Sequence, residues 1–112
     1  PELKKSISAY SISDSETKET IISTYKKYGY LLDPHGAVGF FAMEKYLQQY
    51  PQAKGFIVET AHPVKFYDVV EPLINEPVPV PNNIQSIRSL KKQSTVIENN
   101  VEELTAILKK LH

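Results

Sequence analysis

Two short segments hold the residue types from which a binding or catalytic site is built: Asp33-Pro34-His35-Gly36 and Thr60-Ala61-His62-Pro63. Each places a polar side chain, a proline and a histidine where a helix is expected to begin. A helix start offers unpaired N–H groups and about half a positive charge, which suits an anion or a polar ligand atom. The plainer role for Asp33 and Thr60 is to cap their helices, with each histidine bonded to nearby backbone, and spacing alone favours that role.

Other chemistries find less to work with. His35 and His62 are far apart, His112 is the last residue, and no pair of carboxylates near them has metal-ligand spacing. The glycines at 29, 36, 39 and 55 do not form GxGxxG or GxxxxGK[ST], so no self-contained phosphate loop is present. Ser, His and Asp all occur, yet without a GxSxG elbow there is no setting for a hydrolase nucleophile.

The elements that must position the two segments are well signalled. Residues 7–12 alternate weakly and predict a short edge strand or extended segment. Ser13 and Glu16 have capping-box spacing, and the helix they start carries Ile21, Ile22, Tyr25 and Tyr28 at helical spacing, Lys26 and Lys27 in its last turn, and Gly29 as terminator. Asp33 as cap and Pro34 in the first turn predict a second helix over 34–49, apolar on more than one face and ended before Pro51. Gly55-Phe56-Ile57-Val58 has no polar alternation, the pattern of a strand covered on both faces in a parallel sheet. After the turn at 60–63, Val64, Tyr67, Val70, Leu73 and Ile74 mark a third helix.

Pro77, Pro79 and Pro81 then exclude helix and predict an extended connector along the surface. Asn83 is placed to cap a short helix to residue 90. Asn100 and Glu103 predict a last helix with the apolar stripe Val101, Leu104, Ile107, Leu108 and Leu111. The expected fold is α/β, helix-rich with one or two short strands. Its divisions are residues 1–76, helix-helix-strand-helix; 77–83, a proline-rich connector; and 84–112, a helical extension.

Thirteen basic and thirteen acidic residues cancel without clustering, which removes the electrostatic footprint for nucleic acid or an anionic membrane. No apolar run approaches the ~20 residues that span a bilayer, and no signal peptide is recognisable. The absence of cysteine excludes disulfides and accords with a cytoplasmic location. The start on Pro1 without methionine suggests that residues upstream were removed or never included. At 112 residues a core forms readily, but a large enclosed cofactor cavity does not, which weighs against a complete enzyme.

The segments LLDPHGAVGFFAM and ETAHPVKFYDVVEPLI, in this order and separation and after the capped helix SDSETKETIISTYKKYGY, resemble the carboxyl-terminal part of the threonine synthase family over residues 12–81. The TAHPxKF string is the more specific half. Gly36 stands where members often have Thr or Ala, and Val64 where alanine is common.

The resemblance implies pyridoxal phosphate enzymes of the tryptophan-synthase-β-like class, which convert O-phosphohomoserine and water to L-threonine and phosphate with the cofactor as electron sink. It implies that the chain is the last part of a larger three-layer α/β/α domain. It further implies that Thr60, directly after GFIVE, meets the pyridine nitrogen, with His62, Lys65 and His35 as secondary cofactor-binding candidates. No catalytic residue falls in this chain on that basis. The catalytic lysine and phosphate loop of the family belong to upstream segments, so the chain alone is expected to be inactive and not to hold the cofactor. Its implied partner is the remaining amino-terminal part of the same protein, and uncovered apolar surface is expected to drive self-association. The alternative is a non-catalytic α/β module that keeps the same helix-start geometry for a small anion or partner.

Overall fold

The computed structural model describes residue 2 and residues 6–110, with side chains except that of Arg88. Leu111 and His112, invoked for the last helix and for metal binding, lie outside the described residues. The chain divides into two units, Pro1–Val80 and Pro81–His112.

In the first unit, helix α1 (Asp14–Tyr28) starts as its residues require. Glu16 N–H donates to Ser13 Oγ at 3.3 Å, and the Glu16 carboxylate accepts from Ser13 N–H at 2.8 Å and from the Ser13 hydroxyl at 2.7 Å. Gly29 closes the helix at φ 66°, a left-handed conformation that costs a side-chain-bearing residue about 1 kcal/mol or more. Helix α2 (Pro34–Gln49) has the expected bounds. Lys45 on α2 donates to Glu16 at 3.1 Å and so ties the capping box of α1 to its neighbour. These bonds, led by the Ser13 backbone N–H, lower the Glu16 pKa from 4.5 to about 2.

The third predicted helix is divided: a 3₁₀ turn (Pro63–Phe66) runs into α3 (Tyr67–Ile74), which ends on left-handed Asn75 at φ 55°. The buried core is Ile21, Leu32, Ala37, Val70 and Val78, with Phe40, Ile57, Val64, Phe66 and Leu73 packed partly against it. Each fully buried aliphatic side chain contributes about 1.5–3 kcal/mol. Val78 shows that the proline-rich stretch is not wholly on the surface. It is 3% exposed, and its N–H donates to Glu71 Oε1 at 2.9 Å.

The strands expected at 7–12 and 55–58 are absent: no strand occurs among the described residues. The reason is that a strand exists only through ladder bonds to a neighbour, and no neighbouring extended segment pairs with either stretch. Residues 55–58 form no regular element and are covered on one side only. Ile57 packs against the core, whereas Phe56 is 87% and Val58 74% exposed. The described chain is therefore helical, and the expected sheet would have to come from elsewhere.

The second unit holds α4 (Asn82–Arg88) and α5 (Val101–Lys110). Helix α4 begins one residue before the expected cap Asn83 and has no side-chain cap bond. At α5, Asn100 Oδ1 accepts from Glu103 N–H at 2.8 Å, but the Glu103 carboxylate reaches Glu98 N–H instead of closing the box on Asn100. The apolar stripe of α5 forms, yet Val101, Leu104 and Leu108 are exposed.

Candidate functional site

A cleft of about 470 Å³ in the first unit is lined by Tyr30, Leu31, Glu59, Thr60, Ala61, His62, Pro63, Val78 and Pro79. It brings together two of the four residues singled out from the sequence, Thr60 and His62. Thr60 is exposed there. The expectation that Thr60 caps the following helix is not met: His62 is the cap, its Nδ1 accepting from Val64 N–H at 3.1 Å. With His62 in that role, the Thr60 hydroxyl makes no hydrogen bond among the described residues and keeps its donor and both acceptor sites for a ligand.

The other two candidates lie apart from the cleft lining. His35, at the start of α2, has its Nδ1 3.6 Å from Asp33 Oδ1, a 70% exposed side chain, and a ring tilted against Phe66 with centroids 5.1 Å apart. The backbone bond that spacing suggested for His35 is not formed among the described residues, and the ring contacts Phe66 instead. Lys65 is exposed on the 3₁₀ turn and does not line the cleft. Among the described residues no group of three or more His, Asp or Glu is placed to hold a metal ion.

Asp33 caps α2 as expected, Oδ1 accepting from His35 N–H at 2.6 Å and from Gly36 N–H at 2.8 Å. Its side chain is fully buried, and Oδ2 has no hydrogen-bond partner among the described residues. Sequence reasoning missed Glu59 and Tyr30. The Tyr30 hydroxyl donates to Glu59 Oε2, and Glu59 Oε1 accepts from the Asp33 N–H at 3.4 Å. This bond to Glu59, with some burial, raises the Tyr30 pKa above the ordinary tyrosine value. Glu59 thus joins the cleft to the start of α2, linking positions 26 and 29 residues apart that no local pattern connects.

The cleft offers one uncommitted hydroxyl, a carboxylate already engaged by Tyr30, and apolar walls from Leu31, Pro63, Val78 and Pro79. No lysine stands in it.

A family model described as threonine synthase, C-terminal, matches residues 36–108. The chain is 33% identical to the threonine synthase of Haemophilus influenzae over 99 residues, 88% of this chain and 23% of that protein. It is 31% identical to the threonine synthase of Pseudomonas aeruginosa over 108 residues, 96% of this chain and 23% of that one. Among solved structures it resembles the pyridoxal-phosphate-bound threonine synthase of Brucella melitensis, with a TM-score of 0.60 and 31% identity over 85% of this chain and 20% of that one. The chain spans about 23% of the length of these curated relatives. It belongs to the threonine synthase family, in the part that the matching family model describes as C-terminal.

Proposed function

We propose that this chain serves as the C-terminal part of a cytoplasmic threonine synthase, which converts O-phospho-L-homoserine and water to L-threonine and phosphate with pyridoxal phosphate, and that Thr60 faces the pyridine nitrogen. The observation that carries the assignment of Thr60 is its exposed, unengaged hydroxyl in the cleft, left free because His62 takes the cap. In this reading residues 1–76 contribute to the layered α/β/α cofactor domain, 77–83 connect, and 84–112 form an extension.

When bound, the cofactor supplies an electron sink for charge developed on the substrate. Thr60 contributes orientation and a modest hydrogen bond to the ring nitrogen. A neutral hydroxyl does not hold that nitrogen protonated as a carboxylate would, so charge is drawn into the ring less strongly, which suits successive proton transfers at different carbons. Leu31 and Pro63 give the cleft apolar walls beside Thr60. His62 fixes the turn that carries Thr60, whereas Lys65 and His35 do not line the cleft. In this reading the family's catalytic lysine belongs to upstream segments, so the chain alone is expected to be inactive.

The test pairs this chain with the complete protein. Absorbance titration with pyridoxal phosphate and an assay of phosphate release from O-phosphohomoserine should give binding and turnover in the complete protein, and neither in the isolated chain. Thr60→Val in the complete protein should shift the absorbance and weaken cofactor binding. Tight binding and phosphate release by the isolated chain, or an unaltered Thr60→Val spectrum, would overturn the reading.

A further inference from the structure

We infer that Glu59 is a positioning residue for Thr60, holding the segment before the cleft to the start of α2 through a contact that glycine at position 36 leaves room for. The inference rests on the reading of Thr60 as a cofactor contact and adds the device that places it. Glu59 is adjacent to Thr60, and both carboxylate oxygens are engaged: Oε2 by the Tyr30 hydroxyl and Oε1 by the Asp33 N–H at 3.4 Å. These anchors come from just before α2 and from its cap, elements that the chain reaches 26 and 29 residues earlier.

The third side of the carboxylate is Gly36. A Cβ built there would stand 3.0 Å from both Cγ and Cδ of Glu59 and closer still to Oε1. All three atoms belong to the Glu59 side chain, so a Cβ at 36 would be accommodated by swinging the carboxylate, and that swing moves it off the Tyr30 hydroxyl and the Asp33 N–H that hold it. Gly36 is buried, and its N–H is already committed to Asp33 Oδ1 at 2.8 Å, so α2 cannot easily retreat. Residues 55–58 have no ladder bonds among the described residues, and Glu59 is thus the polar attachment of the segment immediately before Thr60. The small residue at 36, which removes a side chain at the helix start, is explained by the carboxylate occupying that space.

The experiment is a double-mutant cycle in the complete cofactor-loaded threonine synthase that carries this sequence, read by cofactor dissociation constant and by visible circular dichroism of the bound cofactor. Glu59→Ala and Gly36→Ala should each weaken cofactor binding on the order of tenfold and alter the dichroic band. In a Thr60→Val background the same changes should have little further effect, because the hydroxyl they place is gone. Tyr30→Phe, an exposed change that removes one of the two anchors and leaves the fold intact, should act in the same direction with a smaller loss. Equal losses with and without the Thr60 hydroxyl would show that Glu59 acts only on stability and would overturn the inference while leaving the Thr60 reading in place. If Thr60→Val alone left binding and spectrum unchanged, the underlying reading itself would fall.

Discussion

At the scale of single residues, the contrast between Thr60 and His62 decides what the cleft can do. Both stand in a segment that reads as an N-cap, and a hydroxyl is the commoner cap, so the sequence pointed to Thr60 for that work. The imidazole performs it instead, which no residue-type preference reveals because the outcome depends on the turn's backbone. Tyr30 yields a direct prediction. Its pKa is raised chiefly by its bond to Glu59, so the phenol remains protonated above the ordinary tyrosine value, and the contact is fully present below that value and lost as pH rises through the raised one. Tyr25, whose hydroxyl donates to Glu76 at 2.8 Å, is raised as well, so ultraviolet titration should show a late phase from both tyrosines, and Tyr30→Phe should reduce its amplitude while Tyr25→Phe removes the other part. An unchanged late amplitude in the Tyr30→Phe variant would contradict the assignment.

At the scale of elements, helix ends were the most legible feature, because each is written in three or four adjacent residues. The Ser13 box, the Gly29 terminator and the Asp33-Pro34 start all stand where their residues require. Glu16 makes the first of these pH-dependent. Its folded pKa of about 2 lies below the ordinary 4.5, so the stabilisation is complete above about 4.5 and lost as pH falls toward 2. Unfolding midpoints followed by circular dichroism should decline over that window, and Glu16→Gln should flatten the decline. At the other end of α1, Gly29→Ala should cost about 1 kcal/mol in urea unfolding, and Gly29→Asn less, since asparagine tolerates the left-handed region better. Equal costs would mean that the conformation at 29 is not maintained. What the sequence could not announce is an element whose existence depends on a distant partner. The GFIV run has the composition of a buried strand, but pairing is a property of two segments, and only one is at hand.

At the scale of the whole molecule, identity was carried by two strings, LLDPHGAVG and ETAHPVKF, and by no bulk property: neutral charge and ordinary hydrophobicity fit countless domains. The same holds for the Glu59 bridge, which joins those strings in space through contacts that neither contains alone. The modest core and the exposed Phe56, Val58 and α5 leucines predict that the isolated chain self-associates. Sedimentation velocity should show concentration-dependent species, and Phe56→Lys with Val58→Lys should reduce them; a stable wild-type monomer that binds no hydrophobic dye would refute this. The run at 55–58 has one more consequence. Its amides donate to no described residue, so in deuterated solvent they should label within the earliest time points while the interior of α2 resists. Isotope uptake at Phe56, Ile57 and Val58 is thus a built-in reporter: slow labelling there would mark the moment at which a neighbouring strand has been supplied.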